Sequence, residues 1–172
     1  MVIEIERKFL VLNDDWLVAA PLGVDIRQGY LIDKLHPSVR IRCKGRTGYI
    51  TIKSGNDPLE RFEAEFEISY AEAFELLDRF CHDSVLSKTR YNLPIGSGLA
   101  WEIDRFHGKL EGLVIAEIEI PYADFAFEMP SWIGREVTHD ARFLNSNLQK
   151  LDGDRARSLV EEINAKPEKA RC

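Results

Sequence analysis

The amino-acid sequence predicts an α+β protein in which antiparallel strands form a closed barrel with a charged interior and helices packed outside. Two observations favour this fold. Many short segments alternate apolar and charged residues, as strands with one buried face do. The charges are also segregated by strand, because some segments carry mainly bases on their polar face and others mainly acids. Like charges within a strand repel, so the pattern is favourable where the polar face turns inward around bound ions of opposite sign.

The first strand, residues 3–9, sets this pattern. Its alternation places Glu4, Glu6 and Lys8 on one face, opposite a mainly apolar face. Two carboxylates and one ammonium on the same face can hold a divalent cation beside a polyanion. For one isolated strand a solvated outer face would be the simpler interpretation. The recurrence of the pattern in later strands favours the inward-facing interpretation.

Seven further segments show the same two-residue period. A Gly-containing turn at residues 45–48 joins two of them into a hairpin. The polar faces of these strands carry either pairs of bases, as in 38–44, or pairs of acids, as in 61–68. The predicted strands are residues 26–32, 38–44, 49–53, 61–68, 85–92, 100–106 and 113–120.

Helices are predicted between and after the strands. Asp14 begins a short helix that Pro21 stops, and Ser69 with Glu72 makes a capping box for a longer one. Beyond Pro121 the sequence predicts short helical segments rich in aromatic residues. The predicted longer helices and the first short one cover residues 14–20, 70–82, 140–151 and 154–165.

Length and composition indicate one domain. A chain of 172 residues with 45% hydrophobic residues can bury a core without disulfides. We expect residues 1–166 to form a single domain and residues 167–172 to be a frayed tail. The three cysteines, Cys43, Cys81 and Cys172, are too far apart in the sequence to suggest a disulfide framework or a metal cluster.

Charge and hydropathy restrict the partners and the compartment. A net charge of −6 argues against general nucleic-acid binding but allows a local basic pocket. Glu4 and Glu6 stand where a secretion signal would need an apolar run, and no segment approaches membrane-spanning length. We therefore expect a cytoplasmic protein without a nucleic-acid or membrane partner. Whether it is a monomer or a homodimer stays open.

Seven charged triplets then identify a family by resemblance. Glu4-Ile5-Glu6-Arg7-Lys8 matches the Glu-x-Glu-x-Lys hallmark of the CYTH superfamily, the triphosphate tunnel metalloenzymes. The chain resembles this family over nearly its full length, and most of all its short bacterial members. The resemblance implies an eight-stranded antiparallel tunnel that hydrolyses inorganic tripolyphosphate to pyrophosphate and phosphate with Mg²⁺ or Mn²⁺. The remaining matching segments are Arg40-Ile41-Arg42, Thr51-Ile52-Lys53-Ser54, Glu65-Phe66-Glu67, Lys88-Thr89-Arg90-Tyr91, Glu102-Ile103-Asp104 and Glu117-Ile118-Glu119.

Site residues follow from the chemistry of a triphosphate and from the resemblance. Guanidinium groups bind phosphate oxygens through two parallel hydrogen bonds, and lysines act as point charges. We assign phosphate binding to Arg40, Arg42, Lys53, Lys88 and Arg90, with Lys8 nearest the reacting phosphate. The resemblance implies that the metal-facing carboxylates are Glu4, Glu6, Asp104, Glu117 and Glu119.

Two points of the mechanism stay open. The attacking water is deprotonated either by Tyr30 acting with Lys8, as proposed for short members with a tyrosine here, or by a second metal. Tyr30 could instead be a packed strand aromatic. Glu65 and Glu67 either support the site or a second ion, or form structural ion pairs with neighbouring arginines.

One segment departs from the family. Short tripolyphosphatases tend to carry Arg-Tyr-Lys-Asn-Lys near the C-terminus, and residues 142–147 of this chain keep the arginine but not the lysines. The exact substrate is therefore open. Hydrolysis of thiamine triphosphate or nucleotides would need an apolar platform, for which Trp101 and Trp132 are candidates. A class IV adenylate cyclase and a non-catalytic polyphosphate binder are further alternatives, and the carboxylates argue against the last.

Overall fold

The computed structural model describes residues 2–33, 37–54, 60–81 and 84–165. This part contains three α-helices, α1 (Tyr70–Phe80), α2 (Asn145–Leu148) and α3 (Gly153–Ala165), and short 3-10 helices at Asp15–Val18, Gly96–Gly98, Gly108–Leu110 and Ala141–Phe143. Its strands are β1 (Val2–Val11), β2 (Val24–Asp33), β3 (Ser38–Lys44), β4 (Thr47–Ser54), β5 (Glu60–Ser69), β6 (Leu86–Pro94), β7 (Ala100–Phe106), β8 (Val114–Glu119) and β9 (Ile133–Glu136). The predicted tail, residues 167–172, lies outside the described residues.

The strands form one antiparallel sheet in the order β5-β4-β3-β2-β6-β7-β8-β1-β9. One edge of β1 pairs with β8, and the other edge is divided between β5, opposite residues 2–5, and β9, opposite residues 9–11. The predicted closed eight-stranded barrel is therefore wrong, because the sheet has nine strands and ends in β9. The physical reason is that, in the described residues, β5 pairs with β1 over residues 2–5 alone, whereas β9 takes the same edge over residues 9–11, so no continuous β5–β1 ladder closes the sheet.

The strands predicted from two-residue alternation are all confirmed, whereas β9 was not predicted. Its segment follows Pro121, where the sequence predicted short helices, and that prediction is wrong for the strand itself. The predicted helix over residues 140–151 is also wrong, because the chain forms two separate short turns there, Ala141–Phe143 and α2. The first predicted helix is a four-residue 3-10 turn in which the Asp14 side chain makes no capping hydrogen bond.

Helix α1 packs on the outer face of the sheet, as predicted. Its capping box is formed, since the Ser69 side chain accepts from the Glu72 backbone while Glu72 accepts from the Ser69 backbone. The helix lies so close to β4 that a Cβ added at Gly48 would be 2.5 Å from the Ala73 Cβ. The resulting core buries Ile41, Cys43, Ala73, Leu77 and Cys81.

A second outer core lies on β1, β7 and β8. The aromatic rings of Phe9, Trp101 and Trp132 pack edge-to-face, with centroids 5.6 and 5.7 Å apart for the two pairs that include Trp101. Trp16, from the first 3-10 turn, belongs to the same cluster. Large buried aromatic side chains contribute strongly to core stability. This cluster therefore stabilises the outer face of β1, β7 and β8, the strands that carry most of the acids.

The C-terminal segment packs on the other face, which corrects the prediction that helices lie only outside. Leu10, Leu86, Phe106 and Ile115 lie two residues along their strands from charged residues of the inward face and so share that face. They pack in one buried cluster with residues of the C-terminal turns and α3, including Phe143, Leu148, Ala156 and Leu159. The inward face is thus charged at one end and apolar at the other.

No helix in the described residues combines the length and the apolar character needed to cross a membrane.

Candidate active site

The charged end of the inward face encloses a cavity of about 260 Å³. Side chains of all strands from β1 to β8 line it, so the sheet curls around it. Among the described side chains that line the cavity, six are cationic and six are carboxylates. The cations are Lys8, Arg40, Arg42, Lys44, Lys53 and Arg90, and the carboxylates are Glu6, Glu63, Glu65, Glu102, Glu117 and Glu119.

Four of the six cations lie on one wall, and four of the six carboxylates lie on another. A basic wall is formed by β3 and β4, whose alternation directs Arg40, Arg42, Lys44 and Lys53 into the cavity. Glu65 of the neighbouring strand accepts a 2.7 Å hydrogen bond from Arg42 Nη2 and lies 3.7 Å from Arg40 Nη2. The Nε groups of Arg40 and Arg42 are buried and have no hydrogen-bond partner among the described residues. The structure thus makes Glu65 an ion-pair partner of both arginines.

Three further contacts fix the basic wall. Thr51 Oγ1 accepts from Arg40 Nη2 at 3.2 Å and donates to Glu65 at 2.7 Å. Lys53 Nζ lies 2.5 Å from a carboxylate oxygen of Glu63. These side chains are held in place before any ligand binds.

An acidic wall is formed by β1, β7 and β8. Glu6 lies opposite Glu119 in the β1–β8 register, and Glu102 lies opposite Glu117 in the β7–β8 register. Like charges placed directly across neighbouring strands are destabilising unless a cation compensates them. Lys8 compensates part of this charge, because its Nζ lies 2.6 Å from Glu117.

Arg90 is the second compensating cation of the acidic wall. Its Nε and Nη2 each donate to the Asp104 carboxylate at 2.6 Å, and Nη2 also donates to Glu117 at 2.7 Å. A further ion pair joins its Nη1 to Glu102. The guanidinium therefore ties three carboxylates of two strands together.

Lys88 and Asp104 lie behind the cavity wall. Each side chain is 1% exposed, and Lys88 Nζ lies 2.5 Å from Asp104. Neither lines the cavity. The phosphate-binding role predicted for Lys88 and the metal-binding role predicted for Asp104 stay predictions, and their position favours a structural contribution through Arg90.

Burial and ion pairing shift the pKa values of the buried groups. Burial disfavours the charge of Lys8, but the attraction of Glu117 and Glu6 prevails and raises its pKa. Burial likewise opposes ionisation of Glu117, and Lys8 and Arg90 nevertheless hold its pKa well below the usual range. Burial lowers the pKa of Lys88 to about 8 despite the adjacent Asp104. Lys8 is thus a persistent cation of the site.

Tyr30 also lines the cavity, where β2 pairs it with Arg40 of the basic wall. Among the described residues no hydrogen bond joins Tyr30 to Lys8. The structure therefore brings the two proposed partners into one cavity, without a hydrogen bond between them in the described residues. Of the remaining predicted residues, Glu67 does not line the cavity, and the side chain of Glu4 lies outside the described part of the chain.

The sequence did not predict the role of Thr138. Its Oγ1 accepts a 3.0 Å hydrogen bond from the buried Lys8 backbone N–H and donates at 2.7 Å to Glu136, which forms an ion pair with Arg7. The Val137 N–H donates to the Lys8 carbonyl at 2.8 Å. The two residues that follow β9 therefore hold Lys8 in position, and no sequence signal indicated this because β9 itself was not predicted.

The C-terminal segment reaches the cavity with uncharged residues. Leu144, Asn145 and Ser146 line it. Arg142, which the family resemblance picked out, instead pairs with Asp140 at 2.7 Å and with Glu162 at 3.4 Å on the surface. The departure from the family pattern thus falls on side chains that face the cavity.

The comparison with known families agrees with this geometry. A family model described as the CYTH domain matches residues 2–156. The chain belongs to the CYTH family. Lys44 and Glu102, although not assigned from the sequence, lie on the inward faces of strands that carry the CYTH triplets, so alternation could have identified them.

Relatives of known name cover most of the chain. It is 47% identical over 147 residues to an inorganic triphosphatase of Acetivibrio thermocellus, covering 86% of this chain and 93% of that protein. It is 39% identical to an inorganic triphosphatase of Nitrosomonas europaea, covering 84% and 95%. The crystal structure of the inorganic triphosphatase NE1496 superposes with a TM-score of 0.63 at 34% identity, covering 88% of this chain and 97% of that one.

The Thr138 contacts predict a measurable effect on stability. Thr138→Val keeps the volume but leaves the buried Lys8 N–H without an acceptor, which costs about 1–3 kcal/mol. Thr138→Ser keeps the hydroxyl and should lose much less. Urea unfolding of the three proteins measures the difference, and a valine variant as stable as the wild type would contradict this role.

Proposed function

We propose that this CYTH protein is a metal-dependent inorganic triphosphatase that hydrolyses tripolyphosphate to pyrophosphate and phosphate. The observation that carries the proposal is the cavity in which a wall of arginines and lysines faces a wall of paired carboxylates. The two relatives named inorganic triphosphatase support it. A simple anion-binding site would have no use for the acidic wall.

The basic wall would bind the phosphate oxygens. Arg40 and Arg42 project guanidinium groups, and Lys53 projects an ammonium, into the cavity. Their contacts with Glu65, Thr51 and Glu63 order them in advance, which reduces the entropy lost on binding. Lys8 and Arg90 lie on the acidic wall and would reach the phosphate that reacts.

The acidic wall fits a divalent cation. The six cations lining the cavity are matched by six carboxylates, so a triphosphate would add negative charge that the protein alone does not balance. The facing pair Glu6 and Glu119 presents hard oxygen donors of the kind that Mg²⁺ and Mn²⁺ prefer. We propose these two and Glu117 as the ligands, with phosphate oxygens and water completing the coordination.

The described residues alone do not form a complete metal site. They contain no group of three or more His, Cys, Asp and Glu side chains that could hold an ion by themselves. Lys8 and Arg90 already engage Glu117. A metal that needs substrate oxygens as ligands agrees with this, because Mg²⁺ is commonly bound by one or two carboxylates together with phosphates. Asp104 and Glu4, which the family resemblance adds, stay predictions.

A bound cation would neutralise phosphate charge and lower the pKa of a coordinated water. The chain's own residues would orient the substrate and supply the base. Tyr30 has its side chain in the cavity and is our candidate for the group that accepts the proton of the attacking water. Lys8, whose pKa is raised, would stabilise charge on the reacting phosphate and would not act as the base.

The polar lining favours an inorganic substrate. Trp101 and Trp132, the candidate platforms for an organic triphosphate, are 0% and 6% exposed in the outer core and do not line the cavity. Among the described side chains that line the cavity, Tyr30 is the one aromatic residue. Neither thiamine triphosphate nor a nucleotide would find a stacking surface on the described walls.

Phosphate release from tripolyphosphate, thiamine triphosphate, ATP and pyrophosphate, each with Mg²⁺, Mn²⁺ or excess chelator, tests the proposal. We expect the highest kcat/KM for tripolyphosphate, little release from pyrophosphate, and none from any substrate in chelator. Full activity in chelator would rule out the metal assignment, and a preference for ATP would rule out the inorganic substrate.

Replacing Tyr30 tests the base. Tyr30→Phe keeps the ring and removes only the hydroxyl, so kcat should fall about 100-fold while KM changes little, the usual scale for a lost general base. Tyr91→Phe, whose ring packs against Trp16 on the outer face, is the matched control. A near-wild-type kcat for Tyr30→Phe would assign activation of the water to the metal.

A further inference from the structure

A row of three cations runs along the inward face of β3. Arg40, Arg42 and Lys44 alternate with buried Ile41 and Cys43, and all three line the cavity. Successive members are two residues apart, which is about 6.7 Å along a strand, so the row extends over about 13 Å. Its last member, Lys44, stands at the hairpin end of the strand.

Lys44 differs from the other cations of the cavity in having no partner within the described residues. Arg42 is bonded to Glu65, Lys53 to Glu63, and Arg90 to Asp104 and Glu117. Lys44 forms neither a hydrogen bond nor an ion pair with any described side chain. It is half-buried, and burial together with repulsion from Arg42 lowers its pKa.

This difference matters for an incoming anion. At Arg42 a phosphate oxygen has to compete with Glu65 for the guanidinium donors. At Lys44 no carboxylate of the described residues has to be displaced, so the ammonium would gain a charge-assisted contact that these residues do not provide. An anion there would also relieve the repulsion between Lys44 and Arg42.

Lys44 and Lys8 lie on different walls of the cavity. Lys44 belongs to β3 in the basic wall, at the hairpin end of the strand. Lys8 belongs to β1 in the acidic wall, where its Nζ lies 2.6 Å from Glu117 and 3.5 Å from Glu6. If Lys8 contacts the phosphate that reacts, Lys44 on the other wall is placed to contact another phosphate of the chain.

We propose that Lys44 is a substrate-binding residue that holds a non-reacting phosphate at the hairpin end of the basic wall and favours three-phosphate over two-phosphate chains. This inference rests on the proposed function and extends it to a residue and a subsite. Because the contact is made equally before and during the reaction, its loss raises KM and leaves kcat nearly unchanged.

Four proteins test the proposal: wild type, Lys44→Met, Lys44→Arg and Arg46→Met. Arg46 is the matched control, since it is an exposed cation two residues away that does not line the cavity. We expect Lys44→Met to raise KM for tripolyphosphate about tenfold with kcat within about twofold, at the lower end for a lost charge-assisted contact. Lys44→Arg should restore most of the affinity, and Arg46→Met should match the wild type.

Inhibition by pyrophosphate measures the selectivity. Its inhibition constant should change less than twofold in Lys44→Met if the shorter chain does not reach this subsite. Equal losses for tripolyphosphate and pyrophosphate, or a Lys44→Met protein that behaves like Arg46→Met, would overturn the proposal. Thermal unfolding checks that the variants fold, and Lys44→Gln replaces the methionine variant if that one melts at a lower temperature.

A binding measurement separates this inference from the proposed function. If the wild type released no phosphate from tripolyphosphate, the proposed function would fail, and calorimetric titration of the same variants with tripolyphosphate would still test Lys44. A roughly tenfold weaker affinity of Lys44→Met would then support the subsite. An unchanged affinity, or no binding to the wild type, would overturn it.

Discussion

The contacts of Arg90 are the interaction on which the charged face depends. Buried charges are costly unless they are paired and hydrogen-bonded, and this guanidinium satisfies Asp104, Glu117 and Glu102 at once. Without it, acids of β7 and β8 would face one another in a buried setting with only lysines to compensate them. Removing one partner of such a network costs about 3–5 kcal/mol, because it leaves an uncompensated buried charge. Arg90 therefore contributes both to the stability of the fold and to the charge of the cavity.

Alternation in the sequence was sufficient to predict eight strands and the inward face of the charged residues that line the cavity. It could not predict β9, because Ile133–Glu136 is only four residues long and its pairing with β1 joins positions far apart in the chain. That missing strand also explains the wrong prediction of a closed ring. Nor did alternation show that the inward face becomes apolar at Leu10 and Phe106. A two-residue period indicates on which face of the sheet a side chain lies, but not which other segments pack against that face.

For the site, the sequence supplied the residue types but not the pairing. From the sequence, Lys88 and Arg90 were predicted as equivalent phosphate-binding residues. In the structure Lys88 is buried against Asp104, whereas Arg90 lines the cavity. Register and side-chain reach decide this difference, and neither is visible in a triplet. Thr138 needed the tertiary structure, because it acts on Lys8 from 130 residues away.

We propose that one wall of the cavity binds phosphate and that the acidic wall binds the metal. Anomalous diffraction from crystals soaked with Mn²⁺ and tripolyphosphate tests it most directly. We expect an anomalous peak between the carboxylates of Glu6 and Glu119, with the phosphate chain along Arg40, Arg42 and Lys44. Manganese on the outer surface, or a phosphate chain bound away from the β3 row, would contradict it.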